Sequence, residues 1–200
     1  MKQKTIVDYI ARIISTLFVP PVPALFAFVY FTFTIETDPD KMIFSVLISM
    51  LLVFIFPIII FIYLRKKKTI SDLDTNLKEQ RILPYSLGIV LMFAGIICSF
   101  IFQFNNEIIL LWLIHFINMV LLVIITRFWK ISAHTSGVAI AFGIFSFHLQ
   151  VVLTLALFVI LLLVGWSRMR LKIHSFQQVL LGGILGCTLV YLIELIDSLI

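Results

Sequence analysis

Trp166-Ser-Arg-Met-Arg-Leu-Lys-Ile-His-Ser-Phe-Gln-Gln178 is a basic island between two long apolar runs. An Arg and a His stand six positions apart in it, with the His at the start of the next hydrophobic helix. Helix starts collect unpaired N–H groups and the positive end of the dipole, so they suit an anion. Arg168 adds a planar, permanently charged fork that matches phosphate oxygens. About forty residues upstream lies a second such place, Lys130-Ile-Ser-Ala-His-Thr-Ser-Gly137, where His134 also opens a hydrophobic helix. Two histidines and several cations at helix starts point to a phosphate site.

The runs around these islands set the fold class. The chain has 200 residues, of which 62% are hydrophobic and 12% charged, and its mean hydropathy is +1.18. Apolar runs of roughly 17–25 residues between short charged loops are transmembrane helices. This composition excludes a soluble globular domain and predicts an all-α, polytopic transmembrane bundle, residues 1–200, as one domain. About six to seven spans are expected, preceded by an N-terminal interfacial helix. The basic start of Met1 to Leu17 resembles a signal peptide, but Asp8 and Arg12 inside its apolar part argue against cleavage. Cys98 and Cys187 both fall within apolar spans and read as small packing residues.

Residues 5–18 carry Asp8, Arg12 and Ser15 at helical spacing, the pattern of an interfacial amphipathic helix or the first half of a kinked span. Pro20, Pro21 and Pro23 break it, and a first span follows to about Ile35. Further spans are expected at roughly 42–64, 84–103, 108–127, 134–147, 151–166 and from 175 onward. Gly182 and Gly186 in the last have the small-xxx-small spacing of close helix packing. Counting spans puts the polar stretch 65–83 and both histidine islands on one face of the membrane. Trp129 and Trp166 flank the islands as an interfacial aromatic belt, which places the chemistry near headgroup level.

Ser167-Arg168, five residues, then His174 resembles the third motif of the type 2 phosphatidic acid phosphatase (PAP2) superfamily, which is Ser-Arg, five residues, His, three residues, Asp. Ser132-Ala133-His134 resembles its second motif, Pro-Ser-Gly-His. The first motif, Lys, six residues, Arg-Pro, is not present as written; its nearest equivalent is Lys78-Glu-Gln-Arg81 with Pro84. Gln178 stands where the family has its Asp, marking a divergent branch. An amide oxygen can accept the imidazole N–H and fix its tautomer, but it cannot stabilise the imidazolium by charge.

The resemblance implies attack on phosphorus by His174 through a phosphohistidine, with His134 protonating the leaving oxygen and later activating water. It implies that Arg168, with Arg81 or Lys78, holds the phosphoryl oxygens, helped by Ser132 and Lys130. No metal and no cofactor is required. The substrate would be a lipid phosphate drawn from the surrounding membrane lipids: phosphatidic acid, a phosphatidylglycerol phosphate or an isoprenyl diphosphate. Nothing calls for nucleic acid. Two other classes fit parts of the pattern. A degenerate phospholipid or isoprenyl-phosphate binder accounts for Gln178, and a small transporter would need polar residues inside the spans, where His115 is nearly alone.

Other polar residues have plainer readings. Arg170, Lys172 and Lys66 to Lys68 read as topology charge, His115 and His148 as packing or solvated residues, and Asp72 and Asp74 as a solvated pair or a weak metal pair. Lys2, Lys4, Arg12, Arg65 to Lys68, Lys78, Arg81, Arg127, Lys130, Arg168, Arg170 and Lys172 fall on the motif face, leaving only Lys41 opposite. The positive-inside rule then puts the site on the cytoplasmic face of a bacterial or archaeal inner membrane.

Overall fold

The computed structural model describes residues 5–199. Lys2 and Lys4, counted above on the motif face, lie outside the described residues. Among those residues the chain is helical, with no strand.

Helix α1 (Ile6–Leu17) starts at a capping box: the Thr5 hydroxyl accepts the Asp8 N–H, and the Asp8 carboxylate accepts the Thr5 N–H at 2.9 Å. A 44° bend separates it from α2 (Pro21–Ile35). Pro21 and Pro23 sit in the first turn of α2, where a missing N–H forfeits no intrahelical bond. These prolines therefore start the second helix as well as stop the first. Next come α3 (Pro39–Ser49), a π-helical turn over Met50–Ile55, and α4 (Phe56–Lys66), together one rod of 28 residues. Pro57 follows the π-helical turn, whose wider register accommodates a residue that cannot donate to the ladder.

Helices α5 (Glu79–Ile101), α6 (Asn106–Phe128), α7 (Ala133–Phe147), α8 (Val151–Arg170) and α9 (Phe176–Asp197) complete the chain. Two boundaries differ most from the hydropathy reading. Helix α5 begins at Glu79 and carries Pro84 inside it. Helix α8 runs to Arg170, so Arg168 lies in a helical last turn and not in a loop after Trp166. Apolar periodicity stops where charge begins, whereas the backbone continues as long as its bonds can be made.

Five rods are long and apolar enough to cross a membrane: Pro39–Lys66, α5, α6, α8 and α9; the bent pair α1 and α2 makes a sixth if counted as one span. The protein is membrane-embedded. At 15 residues α7 is only about 22 Å long, short of a roughly 30 Å hydrocarbon core. Eleven of its residues are buried, so it is enclosed by protein and not by lipid.

The chain forms two compact units, one of Met1–Pro23 with Lys130–Ile200 and one of Ala24–Trp129. In the first, α7 packs against α8 and α9, and α1 lies on α8. Lipid supplies no hydrophobic drive between helices, so close backbone approach has to hold them. Gly182 and Gly186 of α9 provide it: a Cβ would stand 2.6 Å from the Ser132 carbonyl oxygen at the first and 2.5 Å from that of Ser136 at the second. In the second unit, α5 and α6 form a hairpin, Trp112 packs over Gly95, and Phe28, Ile108, Leu111 and Ile114 are buried with it.

Candidate functional site

The turn between α8 and α9 brings Arg168 and His174 together by a Schellman closure. Lys172 takes the left-handed conformation, with φ 57°. Its N–H donates to the Met169 carbonyl at 2.9 Å and the Ile173 N–H to that of Arg168 at 3.1 Å, which satisfies the last carbonyls of α8. The His174 N–H reaches the same Arg168 carbonyl at 3.3 Å. Arg168 and His174 are thus tied through backbone, and both are buried, at 1% and 6% exposure.

His174 immediately precedes Ser175, the N-cap of α9. Ser175 and Gln178 form a capping box, the Gln178 N–H donating to the Ser175 hydroxyl at 3.4 Å and the Ser175 N–H to Gln178 Oε1 at 3.2 Å. That second bond fixes which way the amide points. Oε1 then also faces His174 Nδ1, at 3.0 Å. A carbonyl oxygen only accepts, so Nδ1 carries the proton, and a neutral ring keeps its lone pair on Nε2. Gln178 does here what a carboxylate does for tautomer choice, without the charge. The capping pattern Ser-x-x-Gln was legible in the sequence at 175–178 and gives the Gln a structural reason of its own.

Two bonds join the histidine islands. The Ser132 N–H donates to the Gln178 carbonyl at 3.2 Å, and Lys130 Nζ donates to the Ile173 carbonyl at 2.6 Å. Ser132 is fully buried and caps α7, its hydroxyl accepting the Thr135 N–H at 3.4 Å. His134 follows in the first turn of α7, half-buried. The elements bearing His134, Ser132, Lys130, Arg168, His174 and Gln178 therefore meet within one unit.

The polar stripe of α1 contributes a residue to which sequence reading assigns no role in the site. Ser15, 3% exposed, accepts a hydrogen bond from Arg168 Nη1 at 2.6 Å across 153 positions. Arg170 ties the start of the same helix: its Nε donates to Asp8 Oδ1 at 2.9 Å and its Nη2 to the Thr5 hydroxyl at 3.2 Å. Arg170 thus has a specific docking contact beyond its topology charge. The only sequence signal was the polar stripe of Asp8, Arg12 and Ser15.

The first-motif candidates belong to the other unit. Arg81 is buried in the first turn of α5, where Nε donates to the Thr75 carbonyl at 2.7 Å and Nη2 to that of Asp74 at 3.1 Å. Lys78 Nζ donates to the carbonyls of Arg127 and Phe128 at 2.9 and 3.2 Å, capping the negative end of α6. The Asp72 carboxylate closes its own loop by accepting the N–H groups of Asp74 and Asn76. His148 lies at the other end of α8 from Arg168, with its Nε2 3.6 Å from the buried carboxylate of Glu194.

Comparison of the chain with family models, with characterised proteins and with solved structures returned no match.

Proposed function

We propose that the protein is an integral-membrane lipid-phosphate phosphatase working through a phosphohistidine on His174, as a divergent member of the type 2 phosphatidic acid phosphatase superfamily. The observation that carries the reading is the chain of contacts from the Ser175 N–H through Gln178 Oε1 to His174 Nδ1. It leaves Nε2 as the nucleophilic nitrogen on a residue bonded to the backbone of Arg168. Nε2 attacks phosphorus, a P–N bond forms as the P–O bond to the lipid breaks, and His134 gives its proton to the departing lipid oxygen. Water then attacks phosphorus and yields its proton to His134. The P–N bond breaks, inorganic phosphate leaves and His174 returns neutral. Arg168 holds the equatorial oxygens, where charge is spread in the transition state. The direct experiment measures phosphate release by purified protein in detergent, with EDTA, from phosphatidic acid, phosphatidylglycerol phosphate and an isoprenyl diphosphate. No release from any member of the panel would overturn the reading.

The second reading, a phosphate-lipid binder without turnover, draws on the capping role of Gln178, which gives that residue a purpose unrelated to catalysis. Phosphate release from the panel separates the two, and a substitution then tests what Gln178 does for His174. Gln178→Asp restores charge beside Nδ1 and is expected to match or raise turnover. Gln178→Leu frees the ring and should lower turnover roughly 10- to 100-fold, less than the loss when an orienting carboxylate that also supplies charge is removed. If the Leu variant turned over like the native protein, Gln178 would not be coupled to His174.

We infer from the distribution of charge, independently of the phosphatase reading, that the site faces the cytoplasm. Arg168, Arg170 and Lys172 crowd one end of α8, while the other end presents Gln150 and His148. Single cysteines replacing Lys172 and Gln150, both exposed, test it in a background lacking Cys98 and Cys187. In intact cells an impermeant maleimide should label position 150 and spare position 172. The reverse pattern would put the site outside.

A further inference from the structure

We propose that His115 and Trp112 form an intramembrane binding site for a single hydroxyl group, supplied by water or by a lipid alcohol. Both residues belong to α6 (Asn106–Phe128) and are buried, at 4% and 0% exposure, within that 23-residue span. Three positions apart, they share one face of the helix. The Phe28 ring covers that face, its centroid 4.4 Å from the indole and 5.4 Å from the imidazole. Gly95 makes room for the indole, since a Cβ there would collide with the ring.

The hydrogen bonding of the pair is half complete. His115 Nδ1 lies 2.8 Å from the Leu111 carbonyl oxygen, which can only accept, so Nδ1 carries the proton. In the neutral ring Nε2 is then a bare acceptor. It is buried and meets no hydrogen-bond partner, and the Trp112 Nε1–H is a buried donor in the same condition. A hydrocarbon interior offers no solvent to satisfy either group. Buried polar groups are almost always partnered, and an ionisable residue inside a span marks a site by default. A single ligand atom that both donates and accepts can answer this acceptor and donor together. A hydroxyl oxygen does this: its proton goes to Nε2, and a lone pair receives the indole N–H. Carbonyls and ethers cannot serve Nε2, and an ammonium cannot serve the indole.

The test uses full-length protein with ¹⁵N-labelled His and Trp in a detergent lacking hydroxyl groups, observed by NMR. The expected result is a His115 ring protonated on Nδ1, with Nε2 at the shift of a hydrogen-bonded acceptor. Trp112→Phe, which keeps the ring and removes the donor, should move the His115 signals and leave those of Trp129 and Trp166 in place. Added n-dodecanol identifies the source. If it shifts both His115 Nε2 and Trp112 Nε1–H while n-dodecane does not, the site takes a lipid alcohol. If both signals stay put and cross-relax with water, the hydroxyl is a bound water. A His115 Nε2 at the shift of a free nitrogen, unmoved by n-dodecanol and without contact to water, would overturn the site. So would the opposite tautomer, with the proton on Nε2.

Discussion

His174→Ala should lower phosphate release from the responsive lipid phosphate by roughly 10³- to 10⁶-fold, the range over which removal of a covalent nucleophile costs an enzyme its turnover. The ring lies in a turn whose closure does not depend on it. The Schellman bonds of Lys172 and Ile173 and the capping bonds between Ser175 and Gln178 are all made without the imidazole. The helices should therefore keep their native circular dichroism and melting behaviour, which separates lost chemistry from lost fold. Acid-quenched native protein has no route to an acid-stable phosphoenzyme in this scheme. Quenched in base after mixing with substrate, it should retain a base-stable, acid-labile phosphoryl group that His174→Ala does not form. A correctly folded variant with full activity would remove His174 from the mechanism.

Arg168→Lys is the second large effect, expected to reduce turnover by about 10²- to 10³-fold, the cost of losing an oriented donor to a charged transition state. Lysine keeps the charge but replaces a planar fork with a single ammonium, which cannot hold two phosphoryl oxygens in plane. It also loses the contact that positions the fork, the 2.6 Å bond from Nη1 to Ser15. Ser15→Ala isolates that contact. It should raise KM or lower kcat by a smaller factor, and Ser15→Thr, which retains the hydroxyl, should restore both. Full activity in Arg168→Lys would mean that the guanidinium serves only to dock α1 on α8.

The helices, their apolar spans and the polar islands between them were legible from residue order, because a membrane span is a property of about twenty consecutive residues. The local bonds of the site were legible for a related reason. Ser132 before Thr135 and Ser175 before Gln178 follow N-cap spacing alone, whereas His174 meets Gln178 through the turn that precedes the cap. Helix ends were less legible, since Arg168 and Arg170 look like loop charge but continue the α8 ladder.

Tertiary structure alone decided the contacts made at long range. Ser15 reaches Arg168 only because α1 lies along α8, and a serine hydroxyl carries no hydropathy or charge signal that would announce it. Lys130 meets Ile173, and Ser132 meets Gln178, because Gly182 and Gly186 let α9 approach the backbone of α7. The glycines could be read as packing residues, but not the partner they admit. From sequence His115 read as a packing or solvated residue, and the structure buries it; that its Nε2 and the Trp112 N–H are both left without a partner depends on which neighbours fill the space around α6. Order along the chain sets what each segment can bury and cap, while the fold sets which of its remaining polar groups are answered.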